Sequence, residues 1–282
     1  MAADATSLRV SEIEQNNMSN RDKDVSNKNK RNEGRKSLCP RFLSPTELVT
    51  FHVGPEEEVE TFIVHKEFAC DNSPVLNAAF NGSFVEGQTQ TYRIDKDFSI
   101  DSFRLLVTWF YSQKLQLDFQ RRCYRFEDIV ELADLPKEEA FGKLEVHDMA
   151  LIQLWVLADR LLIPKIQDMV MLELLKIKYG PIRVATTNWI NYAYQHTAEQ
   201  SPLRRLALAH CADRWSDYGL ENCPECFPHQ LLIEIVTLIS NHKPWSLENG
   251  IEETYFDDDS CYLIGGDTKN FERKDQDADM EN

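Results

Sequence analysis

The chain is 282 residues long, 42% hydrophobic and 28% charged, with a formal net charge of −16. That length holds one ordinary domain with appendages or two small ones; with no run of about 18 apolar residues and no apolar leader in "MAADATSLRVSEIEQNN", it excludes a membrane-spanning helix and points to an intracellular protein, in cytoplasm, nucleus or both. The acidic balance repels phosphate backbones, which argues against nucleic-acid binding through the folded part.

Residues 1–43 carry few large apolar side chains and cannot bury enough surface to offset chain entropy, so they are expected to form a disordered arm. Its basic run "KNKRNEGRK" (Lys28 to Lys36) reads as a solvated patch, with a nuclear-import signal as the other reading. Strands follow. "ELVTFHVGP" places Val49, Phe51 and Val53 on one face and stops at Gly54-Pro55, "VETFIVH" turns Phe62 and Val64 inward, and "TQTYRID" is a third, short strand. Lys66 to Cys70 reads as a short helix. "SPVLNAAF" is a second, with Ser73 as N-cap, Pro74 at the first helical position and Asn81-Gly82 closing it.

"SIDSFRLLVTWFYSQKL" starts at a Ser99 cap with Asp101 in the first turn, and sets Phe103, Leu106, Val107 and Phe110 along one stripe. Residues 118–147 are charged and only partly periodic, which predicts a surface insertion with a short helix around Phe126 to Leu132. "HDMALIQLWVLADRLLIPKIQDMVMLELLKIKYG" reads as two helices, the first capped by Asp148 and the second starting at Pro164. More helices are expected after Thr186, one of them starting at Ser201-Pro202. The tail from residue 246, with three basic and 12 acidic side chains, reads as mostly disordered, and Tyr255, Phe256, Tyr262 and Ile264 make part of it a candidate docking peptide.

Reactive residues fall into a few groups. His65 and Cys70 form an activated thiol pair only if the turn between strand and helix brings them within hydrogen-bond reach; Cys70, on the apolar side of its helix with Phe68, is better read as packing. The seven cysteines, odd in number and scattered, fit free thiols in a reducing compartment. "CADRWSDYGLENCPECFPH" offers Cys211, Cys223, Cys226 and His229 as zinc candidates, although a structural site needs four converging ligands and a lone C-x-x-C beside one His is a poor set. The acids of "ELADLPKEEAF" read as a solvated run. No nucleotide-binding glycine motif and no G-x-S-x-G occurs. No catalytic residue, cofactor, metal or small-molecule substrate is expected, and the remote alternative is a zinc or thiol enzyme built on the Cys223/Cys226 region.

The order strand, strand, "VHK", short helix, "SPVL", strand, amphipathic helix, then "VLAD" shortly before "IP" resembles the BTB/POZ domain family. The matching residues are Val64, His65, Lys66, Ser73, Pro74, Val75, Leu76, Phe80, Phe84, Glu86, Phe103, Leu106, Trp109, Tyr111, Val156, Leu157, Ala158, Asp159, Leu161, Ile163 and Pro164. The variant "HKEFACDNSPVLNAAFNGSFVEGQTQTY" with "LRRLALAHCAD" is most similar to the short BTB domain-containing proteins of filamentous fungi. The resemblance implies an α+β fold, a small mostly antiparallel sheet flanked by helical hairpins, with a C-terminal helical extension. Its expected limits are a disordered arm at 1–43, the BTB/POZ domain at 44–180 with the 118–147 insertion, the helical extension at 181–245 and the acidic tail at 246–282.

What the family implies is binding rather than turnover. Its members self-associate as homodimers and recruit protein partners, among them cullin-3 type ubiquitin ligases; a nuclear transcriptional co-regulator is the alternative. His65, Lys66, Ser73, Pro74, Phe80, Ala158, Asp159 and Pro164 are then scaffold. A partner surface is expected at Phe126, Glu127 and Asp128, where "RFED" is the candidate for the family's hydrophobic-x-acid cullin motif, together with an exposed face carrying Trp155 and Ile166. Thr46-Glu47 stand where many members have Ser-Asp, whose Asp belongs to the dimer's buried charge arrangement.

Overall fold

The alternating stretch around Phe51 forms the central strand of the sheet. In the computed structural model, which describes residues 43–117, 135–179, 186–213, 224–241 and Ile264, β1 (Leu48–Val53) lies between β2 (Glu60–His65) and β3 (Thr91–Arg93). It runs antiparallel to β2, with Phe51 opposite Phe62, and parallel to β3, with Phe51 opposite Tyr92. The sheet is mixed and, among the described residues, covered on one face only. Val49, Phe51, Val53 and Val64 are buried beneath helices, while Leu48 and Ile63 face outward. Period-two alternation produces this division, because successive side chains point to opposite faces.

Two short helices follow β2 without a loop: α1 (Lys66–Asn72) and α2 (Pro74–Asn81). Ser73 separates them as predicted, its hydroxyl accepting the N–H of Leu76 at 3.1 Å with Pro74 in the first turn. Gly82 ends α2 for a reason other than a left-handed turn. Its φ is −86°, but a Cβ there would meet the Ala78 carbonyl oxygen at 2.4 Å, so only glycine lets the chain fold back so closely. A further short helix, α3 (Val85–Thr89), precedes β3 and was not expected. Next, α4 (Ile100–Ser112) starts at Ser99, which accepts the Ser102 N–H at 3.2 Å, and it buries Phe103, Leu106, Trp109 and Phe110.

The next helix, α5 (Lys137–Arg160), departs from expectation. Asp148 does not cap it but lies well inside it, and residues 137–147 are its first turns rather than part of a surface insertion. Ala140 and Leu144 are buried on the stripe that continues through Leu151, so tertiary packing carries the helix upstream of the aspartate. The expected helix around Phe126 to Leu132 lies outside the described residues. After α5 the chain turns into α6 (Pro164–Tyr179), with Pro164 at the start as predicted.

Beyond α6 come α7 (Trp189–His196), α8 (Pro202–Asp213), a 3-10 turn at Pro224–Cys226 and α9 (His229–Asn241). Arg204 joins α7 to α8. Its guanidinium donates to the Tyr194 carbonyl at 2.6 Å and to that of Thr197, and lies 4.8 Å from the Tyr194 ring centre. Tyr194 in turn donates to Glu234 of α9 at 2.5 Å. No helix among the described residues is long and apolar enough to cross a membrane.

Candidate interaction site

The sequence motifs converge on one junction, where α1 and α2 meet the turn between α5 and α6. That turn is built by backbone bonds that close the end of α5. Leu162 adopts the left-handed conformation at φ 54°, its N–H donates to the Asp159 carbonyl at 3.1 Å, and the Ile163 N–H donates to the Ala158 carbonyl at 2.8 Å. This is the double closure that commonly ends helices, here with leucine where glycine is usual. The Leu161 carbonyl, one of the acceptors a helix end leaves over, receives the Ser73 hydroxyl at 2.7 Å. Ser73 thus caps α2 and ties it to residues 88 positions away.

Lys66 and His65 hold the other side of the hairpin. The Lys66 ammonium donates to the Phe80 carbonyl at 3.2 Å near the C-terminus of α2, where a cation is favoured. The His65 ring shares a 2.8 Å hydrogen bond between Nδ1 and the Tyr111 hydroxyl, which also accepts the His65 backbone N–H at 3.0 Å. Nδ1 is therefore engaged by α4 rather than poised over a thiol. Cys70 is half-buried, with Sγ 3.9 Å from the Leu76 carbonyl, and burial pushes its thiol above the ordinary range. Nδ1 is given to Tyr111, and burial favours the protonated thiol, the opposite of what thiolate chemistry needs. Alkylation of Cys70 at pH 7 is expected to be slower than that of free cysteine and to accelerate with rising pH. Cys70→Ala is expected to cost about 1 kcal/mol in a urea titration and to leave partner binding unchanged.

The cysteines of the C-terminal helices are equally far from a metal set. Cys211 is a buried free thiol pushed up to about 12 by burial. Cys226 corrects the free-thiol expectation: it is disulfide-bonded, and its partner is not among the described residues. His229 is exposed, Cys223 lies outside the described residues, and no group of metal-ligating side chains converges among those described.

Of the expected partner surface, Phe126, Glu127 and Asp128 lie outside the described residues. Trp155 and Ile166 are not on a surface at all. Their exposures are 2% and 0%, because the second half of α5 is enclosed by α4, α6 and α7 and every residue from Ala150 to Ala158 is buried. The unbroken apolar run around Trp155 was the available signal, since a helix apolar all round is an interior one.

An exposed site does exist between α2 and β3. Phe84 and Val85 stand 66% and 63% exposed beside Glu86, at the start of α3. The segment is pinned from below. A Cβ at Gly87 would come within 2.2 Å of the Gly82 carbonyl oxygen, and the Gln90 amide donates to the carbonyls of Phe80 at 3.1 Å and Gly87 at 2.6 Å. Apolar side chains next to a carboxylate, held on fixed backbone, suit recognition rather than catalysis. The Phe-Val-Glu spacing is the same hydrophobic-x-acid pattern sought in "RFED"; Phe84 and Glu86 stand among the family-matching residues of the sequence, where they are not read as a partner surface.

No curated protein matches the chain. Residues 49–135, which include the sheet, α1 to α4 and this corner, match the BTB/POZ domain model. With the strand order, the capped hairpin and the Phe84 corner all falling inside that match, the chain carries a BTB/POZ domain, a protein-interaction module.

Proposed function

We propose that the chain is a non-catalytic adaptor whose BTB/POZ domain recruits a cullin-3 type ubiquitin ligase through the Phe84-Val85-Glu86 corner. The exposed aromatic at a rigid backbone site carries the reading. A preformed surface loses little entropy on binding, and a large exposed ring is the kind of group that dominates interface energy. The proposed domain runs from residue 44 to 180, a reading supported by the packing of α5 on α4, the Trp109 bond to Met169 of α6 and the Leu161 carbonyl that Ser73 bonds. The segment at 181–245 is proposed as its helical extension. Self-association remains part of the proposal, with the sheet face around the exposed Leu48 and Ile63, uncovered among the described residues, available to a second copy; Glu47 is exposed beside it.

The co-regulator alternative rests on Lys28 to Lys36, which lie outside the described residues. Calorimetry with the N-terminal part of a cullin-3 type scaffold tests the adaptor reading. Phe84→Ala is expected to weaken binding by about 2 kcal/mol, roughly 30-fold. Phe84→Asp with Glu86→Lys should abolish binding while the circular dichroism spectrum stays unchanged. A well-folded wild-type chain that binds no such scaffold overturns the proposal.

A further inference from the structure

The sequence contains three Ser-Pro dipeptides, and the fold treats them differently. Ser73 is fully buried as the cap of α2, and Ser201 is buried with its hydroxyl accepting the Leu203 N–H at 3.1 Å. Ser44 has no such task. It is partly exposed, its hydroxyl joins no hydrogen bond among the described residues, and Leu43, Pro45 and Thr46 around it are exposed.

What Ser44 does touch is a carboxylate. Glu67, in the first turn of α1, accepts the backbone N–H of Leu43 at 2.8 Å and that of Ser44 at 3.1 Å through Oε2. Its Oε1 is buried without a hydrogen-bond partner among the described residues. The Glu47 N–H donates to the Ser44 carbonyl at 3.1 Å, closing the turn from which β1 starts. Neither Glu47 nor Glu67 has an ion-pair partner among the described residues. One negative group thus fastens the chain entering the domain.

We propose that Ser44 is a phosphorylation site for a proline-directed serine/threonine kinase, and that the phosphate opens the Glu67 clamp. The Ser44 oxygen attacks the γ-phosphorus of ATP. The new O–P bond forms as the bond from that phosphorus to the bridging oxygen breaks, the hydroxyl proton passes to the kinase's base, and ADP leaves. Pro45 supplies the recognition element, since it fixes its own φ and biases Ser44 toward an extended backbone. The product carries about −1.5 to −2 charges at pH 7 on the residue whose amide Glu67 holds. Repulsion between phosphate and carboxylate then removes two charge-assisted hydrogen bonds, and the segment before β1 detaches from α1. This inference is independent of which partner the domain binds.

The experiment uses the full chain, ATP and a proline-directed kinase, with a peptide spanning residues 38–50 as the positive control. Phosphopeptide mapping should place phosphate on Ser44 and none on Ser73 or Ser201, and Ser44→Ala should remove it. Hydrogen exchange at the Leu43 and Ser44 amides should become about tenfold faster on phosphorylation. In Glu67→Gln, where the repelling charge is gone but an acceptor remains, the acceleration caused by phosphate should be smaller. A chain left unlabelled at Ser44 while the peptide is labelled overturns the site. Phosphate on Ser44 with unchanged exchange overturns the clamp.

Discussion

Replacing Phe51 by alanine is expected to lower the free energy of unfolding by about 3–5 kcal/mol. Phe51 is fully buried in the central strand, and its ring meets those of Phe80, Phe103 and Tyr92 at 5.6, 5.1 and 6.1 Å between centroids. Removing it empties a point where the sheet, α2 and α4 meet. Each aromatic pair adds about 0.5–1.5 kcal/mol beyond area burial, so the loss lies toward the upper end of the range for such substitutions. Urea unfolding followed by circular dichroism measures it. The midpoint should fall with little change in slope, whereas Phe51→Leu, closer in volume, should recover most of the stability. A loss below about 1 kcal/mol would mean that the core closes around the gap.

Ser73→Ala is expected to cost about 2–4 kcal/mol, more than an ordinary helix cap. Losing the cap accounts for about 1 kcal/mol, and leaving the Leu161 carbonyl without its donor adds about 1–3 kcal/mol. Ser99→Ala provides the comparison, because Ser99 caps α4 and its hydroxyl has no such long-range acceptor among the described residues. The difference between the two variants in one titration series isolates the bond to Leu161. Equal losses would show that the Ser73–Leu161 contact contributes nothing net.

The parts of this fold legible in the sequence are those set by one residue or by strict alternation. The buried face of β1, the serine caps before α2, α4 and α8 and the proline at the head of α6 each act through local sterics or one hydrogen bond. Asp148 misled for an equally physical reason. An aspartate before an apolar run looks like a cap, yet its carboxylate is taken by Thr186 at 2.8 Å, 38 residues on, and spacing carries no trace of such a partner. Gln153 hid the depth of α5 in the same way, since its polar amide is satisfied by the Ser99 N–H at 3.0 Å and the Asp97 carbonyl at 3.2 Å. The Phe84 corner lies where α3 spans only five residues, too few for periodicity to mark it, so its trace in the sequence is the Phe-Val-Glu spacing alone.

The central position of β1 sets a problem for the ribosome. The strand emerges before both of its neighbours, and β2 follows almost at once, but β3 emerges only after residues 66–90 have been made. During that interval, roughly one to five seconds at ordinary translation speed, the Thr50 N–H and the His52 carbonyl that will bond Gln90 and Ile94 line an open edge. An unpaired edge is a template for another nascent strand, and neighbouring ribosomes on one message offer identical ones. Slow codons within residues 66–90 would lengthen that exposure, which makes this stretch the one where elongation rate weighs most on the yield of folded protein.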